Sequence, residues 1–259
     1  VSEGALVAVL AAAFLAGLVD AMVGGGGLIQ VPALFGALPV STPPATLLGT
    51  SKFAGFLGTA SAAWRYARTI TIPWRSVGPA CAIAFLTSLV GAATVTHVPP
   101  GVFRPLVPVI LAVVLVYTLL KPDLGQEHAP RVLGRAGLVG AGLLVAAIGF
   151  YDGFFGPGTG SFLMLLFVRL YGFDFLNAAA AARVVNVATN LSALAWFGAH
   201  GHLLWALGLG MAAANVAGAQ VGTRLALRRG AGFVRWVFVA VVSALIAKTA
   251  WDAYRTWPG

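Results

Sequence analysis

Charge is what this chain has least of. Charged residues make up 9% of its 259 positions, against roughly 25% in ordinary globular domains. A soluble domain of this length needs a charged surface that the chain cannot supply, so water-soluble domains are excluded. Cysteine occurs once, as Cys81 within an apolar run. A disulfide inside the chain is therefore impossible, and a buried thiol is the plain reading. No Cys/His/acid spacing fits a metal site. Glycine runs are present, but no Gly-Lys-Ser/Thr follows them and none opens a helix after a strand, which excludes a Walker loop and a dinucleotide fingerprint. Nothing calls for a cofactor. The start, Val1-Ser-Glu3, has no basic stretch ahead of its apolar run, which argues against a cleaved signal.

What the chain has instead is apolar length. Hydrophobic residues make up 59% of it, and the mean hydropathy is +0.93. This is the composition of an all-α polytopic membrane protein whose partner is the lipid bilayer. The net charge of +9 is then no nucleic-acid footprint, because the arginines cluster between apolar runs as cytoplasmic loops require.

Two stretches resemble each other and organise the rest. They are Gly17-Leu-Val-Asp20-Ala-Met-Val-Gly24-Gly-Gly-Gly27 and Gly149-Phe-Tyr-Asp152-Gly-Phe-Phe-Gly156-Pro-Gly158-Thr159-Gly160. Each buries an Asp in an apolar run and breaks the run with glycine four residues later. In lipid every backbone polar group must be satisfied internally, so such a break survives only inside protein or beside a wet cavity. An acid next to it is a functional-site candidate by default.

The runs follow the same plan twice. A span over Gly4–Val23 is long enough for a bilayer core of roughly 30 Å. After the glycines comes Leu28–Leu38, too short to cross alone and read as a half-helix or re-entrant piece. Ala45–Tyr66, Trp74–Thr96 and Val102–Leu120 are the next spans. Lys121–Arg135 is the one extended polar stretch and reads as a cytoplasmic linker. The second half offers Ala136–Phe155, the break Gly156–Gly160, a short Ser161–Leu170, and spans over Leu176–Ala199, Leu203–Leu227 and Phe233–Tyr254. The expected organisation is thus a first membrane repeat over 1–120, a linker over 121–135 and a second repeat over 136–259. Each repeat is a broken or re-entrant first helix pair plus three spanning helices.

Loop charge sets how the repeats face. The loop after Ala45–Tyr66 carries Arg65, Arg68 and Arg75, while its counterpart after Leu176–Ala199 has His200 and His202 but no Lys or Arg. The next loop reverses this: His97–Arg104 is poor in basic residues, and Arg224–Arg235 holds Arg224, Arg228, Arg229 and Arg235. Equivalent loops with opposite bias imply inverted topology, with both termini outside the cytoplasm. Inverted repeats with interrupted first helices are a recurrent transporter architecture, binding substrate near the midplane.

Aligning the halves sets Asp152 on Asp20 and, after a one-residue gap, Arg183 on Lys52. A cation at the centre of a membrane helix costs roughly 2.5–3.5 kcal/mol on insertion scales. Lys52 and Arg183 are therefore candidate substrate contacts for an anion. Thr50, Ser51, Asn186 and Asn190 would add donors, with the glycine-break backbone of Gly25, Gly26, Gly27, Gly158, Thr159 and Gly160 at the starts of the half-helices. The bland alternative is that Lys52 and Arg183 only neutralise Asp20 and Asp152. The acids are read first as structural partners or caps, with proton coupling as the other option. Asn215 and Gln220 read as glue between helices. Trp64, Trp74, Trp196, Trp205 and Trp236 fit interfacial belts.

With these residues in place the chain resembles the TauE/SafE sulfite exporter family, also called the toluene-sulfonate uptake permease family. The carrying residues are Asp20-Ala-Met-Val-Gly24-Gly-Gly-Gly27-Leu-Ile-Gln30-Val-Pro32 and Leu48-Gly49-Thr50-Ser51-Lys52-Phe53-Ala54-Gly55. Tyr151-Asp152-Gly153 through Gly160, and Arg183–Asn190, form a looser second copy. The resemblance implies a non-enzymatic secondary transporter in a bacterial or archaeal inner membrane, a monomer or homodimer. Its cargo would be a small sulfur-containing anion: sulfite, sulfoacetate or another organosulfonate, or thiosulfate. Export is the usual assignment. An anion channel of the same shape is the near alternative. An intramembrane aspartyl protease using Asp20 and Asp152 is the distant one, since the acid precedes its glycines instead of following them.

Overall fold

The structure is a computed structural model that describes residues 3–39, 41–98 and 129–256. The expected span Val102–Leu120 and most of the Lys121–Arg135 linker lie outside these residues. The described chain is helical: α1 (Glu3–Val23), α2 (Gly27–Ala37), α3 (Pro44–Ala67), α4 (Trp74–Val95), α5 (Arg135–Phe154), α6 (Thr159–Tyr171), α7 (Phe175–Ala199) and α8 (Trp205–Thr256). Helices α1, α4, α5 and α7 are each long and apolar enough to cross a membrane. Helix α3 has the length, at 24 residues, but spends part of it on polar side chains. At 11 and 13 residues, α2 and α6 are too short to cross on their own.

Local chemistry explains the boundaries. Pro44 opens α3 at a first-turn position, where its missing N–H costs nothing. Asp174 caps α7 by accepting from the Asn177 N–H at 2.7 Å and from its side-chain amide at 2.8 Å. Gly172 ends α6 with φ 71°. The segment α8 is two helices joined across a kink at Gly230 (φ 75°, ψ −171°), which falls between the expected spans Leu203–Leu227 and Phe233–Tyr254. A glycine supplies that turn, because its positive φ is one that other residues rarely adopt.

Packing follows membrane rules, with small residues where helices touch. The face of α1 carrying Gly17 lies on the backbone of Asn215, while Gly218 and Gly222 of α8 lie on Phe14 and Leu18. The second half repeats this contact: Gly149 and Gly153 of α5 press against Ala84 and Ser88 of α4. Along α5 the buried stripe Ala141, Val145, Gly149 and Asp152 keeps helical spacing, while Leu138, Val139 and Leu143 are exposed as a lipid-facing side requires. Trp64, Trp74, Trp205 and Trp236 are exposed as well. Helix α3 meets α7 with Gly49 near Phe197. Further along, Thr59 of α3 and Arg183 of α7 bind one carboxylate, that of Asp20.

Candidate functional site

The two glycine breaks meet at the centre of the molecule. Gly24 (φ 84°) faces the backbone of Gly160 and Ser161, and Gly27 faces Pro157. A helix that stops in lipid leaves carbonyls to satisfy, and other elements reach in to bind those of α1. Asp20 O accepts from Arg183 Nη1 at 2.5 Å, Ala21 O from Tyr66 Oη at 3.0 Å, and Val23 O from Ser161 Oγ at 2.7 Å. Tyr151 secures the other break by donating to Pro157 O at 2.6 Å.

Both acids are ion-paired, and each takes its cation from the other half. Lys52 Nζ lies 2.6 Å from Asp152 Oδ2, and Arg183 Nη1 lies 2.8 Å from Asp20 Oδ2. Gly156 (φ 95°), in a conformation that other residues rarely adopt, lies against the Lys52 head. Asp20 is held further by Thr59 Oγ1, donating to Oδ2 at 3.1 Å, and by the Gly26 N–H, 3.4 Å from Oδ1.

Beside these pairs lies a cavity of about 60 Å³, lined by both breaks and both acids. Since a water needs roughly 10–15 Å³ on this measure, the space suits a group of about four heavy atoms. The lining includes the expected Lys52, Ser51, Gly26, Gly27, Gly160, Asn186, Asn190, Asp20 and Asp152. Arg183 is absent from it, being fully buried behind Asp20 and packed against Gly160. Thr50, Gly25, Gly158 and Thr159 are not in the lining either. Thr50 Oγ1 instead donates to Thr46 O at 2.7 Å and accepts from the Leu204 N–H at 3.0 Å, tying α3 to the start of α8.

Three wall residues escaped the sequence reading as ligands: Gln30, Thr59 and Asn215. Gln30 Nε2 donates to Ser51 Oγ at 3.0 Å, and its Oε1 accepts from Asn215 Nδ2 at 2.9 Å. The signal available was a lone amide in an otherwise apolar helix. Asn215 also serves as glue, donating to Ala13 O at 3.1 Å, and Gln220 binds Ser61 in the same way. Asn186 spends its Nδ2 on Thr189 Oγ1 at 3.1 Å. The Asn190 side chain, though buried in the wall, has no hydrogen-bond partner among the described residues. The N–H groups of Gly27 and Gly160, at the starts of α2 and α6, likewise find none there. Outside the spans, His202 sits beside Thr46 Oγ1 at 3.3 Å, and partial burial followed by the neighbouring His200 lowers its pKa below the ordinary histidine value.

The sequence signature of the family described as sulfite exporter TauE/SafE matches residues 9–249. The chain belongs to the TauE/SafE sulfite exporter family. Curated relatives agree along almost the full length. A probable membrane transporter protein, ORF9, of Sinorhizobium sp is 38% identical over 252 residues, covering 96% of this chain and 94% of that protein. A probable membrane transporter protein of Haemophilus influenzae is 36% identical over 240 residues, covering 92% of each. The probable membrane transporter protein YfcA of Escherichia coli K12 is 36% identical over 242 residues, covering 93% of this chain and 88% of its own. No solved structure matches the chain. This TauE/SafE protein is therefore a multi-pass membrane transporter and not an enzyme, which removes the aspartyl-protease alternative. The geometry agrees, because each acid is paired with a different cation and is not poised to share a proton with the other. Among the described residues no group of three His, Cys, Asp or Glu could hold a metal ion.

Proposed function

We propose that the protein exports a small sulfur-containing oxyanion across a bacterial or archaeal inner membrane by alternating access, binding it midway through the bilayer. The observation that carries this is that Lys52, the Asn190 amide and the N–H groups of Gly27 and Gly160, the last three without hydrogen-bond partners among the described residues, line one cavity. An ammonium, an amide and two helix N-termini are the donors an anion calls for. The volume favours the compact members of the class, sulfite and thiosulfate, over larger organosulfonates. An inside-negative potential drives anions outward at about 2.3 kcal/mol per charge per 100 mV, which suits export.

The repeats are read as inverted, one over 1–120 and one over 136–259. Contacts in register support this. Helix α3 runs beside α8 in the same direction, with Thr50 against Leu204 and Ser61 against Gln220. It runs opposite to its own counterpart α7, pairing Gly49 with Phe197 while Arg183 reaches the Asp20 that Thr59 also binds. The exchanged ion pairs fit a twofold relation through the cavity.

The test is substrate binding and flux with purified protein in proteoliposomes, using sulfite, thiosulfate, sulfoacetate, sulfate and chloride. Wild type shows saturable flux of a sulfur oxyanion, and Lys52→Gln lowers affinity at least tenfold per folded molecule. Undiminished transport by Lys52→Gln would remove Lys52 from the site, and flux that never saturates would make the protein a channel.

A further inference from the structure

The two ion pairs occupy matching places in the two halves, yet they are built differently. Asp20 is gripped from several sides: Arg183 holds both its backbone and side-chain oxygens, while Thr59 and Gly26 add two more donors. Asp152 has Lys52 alone as a side-chain partner among the described residues. Arg183 is sealed off, whereas Lys52 and Asp152 both line the cavity. The Asp152 carboxylate therefore takes the place at Lys52 Nζ that an oxygen of the cargo would need.

The four formal charges cancel, so an arriving anion meets a neutral site whose one accessible cation is already taken. A single proton on Asp152 removes the competitor and leaves the site positive. We infer that Asp152 is the proton-coupling group of this transporter, each bound anion bringing one proton onto its carboxylate, and this rests on the anion-carrier reading above. The step is balanced. A proton from water adds to a carboxylate oxygen of Asp152, Lys52 keeps its own protons, and its ammonium turns from Asp152 to the anion. On release the proton returns to water and the ion pair re-forms.

Few other groups could take that proton. The charged groups around Asp152 are Lys52 from α3, Asp20 from α1 and, behind Asp20, Arg183 from α7. Its neighbour Tyr151 already donates to Pro157 O. Helices α2 and α8 present the uncharged Gln30 and Asn215, α4 packs Ser88 against Gly153, and α6 brings Gly160. Asp20 is the rival acceptor, but protonating it would strand the sealed Arg183 without a counter-charge.

The experiment uses the full chain in nanodiscs with thiosulfate, which stays a dianion around neutral pH and brings no proton of its own. Wild type takes up one proton per thiosulfate bound, read with a pH dye in weak buffer, and its affinity rises about tenfold for each unit that pH falls. Asp152→Asn binds with no proton uptake and with affinity independent of pH. Thiosulfate binding by wild type without proton uptake overturns the inference, as does an Asp152→Asn protein that keeps the wild-type slope. The wild-type proton count needs no variant, so the inference stands or falls even where Asp152→Asn does not fold. Failure of wild type to bind thiosulfate, sulfite or sulfoacetate at any pH overturns the carrier reading itself, and the inference with it.

Discussion

Arg183 and Lys52 solve the problem of a cation in lipid in opposite ways. Arg183 is wholly sealed, and a single guanidinium nitrogen, Nη1, donates to both a backbone and a side-chain oxygen of Asp20. Removing one partner of a buried pair strands the other charge, at about 3–5 kcal/mol. Arg183→Gln is therefore expected to yield little folded protein. Arg183→Lys keeps the charge but removes the guanidinium group packed against Gly160, leaving a void in a sealed site. Thermal unfolding in detergent should show a lower midpoint, with thiosulfate affinity per folded molecule unchanged. A normal midpoint with lost affinity would make Arg183 a substrate contact and not a strut. Both cations were legible in the sequence, because a charge inside an apolar run has few innocent explanations. Which acid each would meet was not, since that depends on how the halves interlock. Gln30 and Asn215 were missed as wall residues because one amide in a membrane helix looks the same whether it faces a helix or a cavity.

At the scale of elements, the site is made by helices that stop halfway. Gly24 ends α1 at φ 84° and abuts the backbone of Gly160 and Ser161. A Cβ there pays about 1–2 kcal/mol for the left-handed conformation and must also push α6 away. Gly24→Ala should lower the unfolding midpoint and abolish flux together, whereas Gly36→Ala, with open space around it in the same half-helix region, should leave both near wild type. Equal tolerance at both positions would mean that the contact between the breaks is dispensable. The breaks themselves were readable from glycine alone, and α2 and α6 begin within two residues of the expected starts. The break between the last two spans was readable, but its form as a kink at Gly230 was not. Gly230 flanked by arginines fits a loop or a bend equally well on local preference, and packing chooses between them.

For the whole molecule the question is which way each half faces. The loop after α3, containing Arg68 and Thr69, and the loop after α7, containing His200 and His202, are equivalents in the proposed pair of repeats. The first carries the arginines that the positive-inside rule assigns to the cytoplasm, and the second carries none. His202 also lies against Thr46, in the first turn of α3. The loop after α7 thus sits at the end of the molecule opposite the loop after α3. A membrane between those ends must put the two loops in different compartments. The lone Cys81 makes this testable by labelling. On a Cys81→Ser background, Thr69→Cys in intact cells should resist a membrane-impermeant maleimide until the membrane is opened, and His200→Cys should react at once. Reaction of both from outside, or of neither, would require the halves to face the same way, and the midpoint cavity between exchanged ion pairs could not then alternate between the two sides by a symmetric motion.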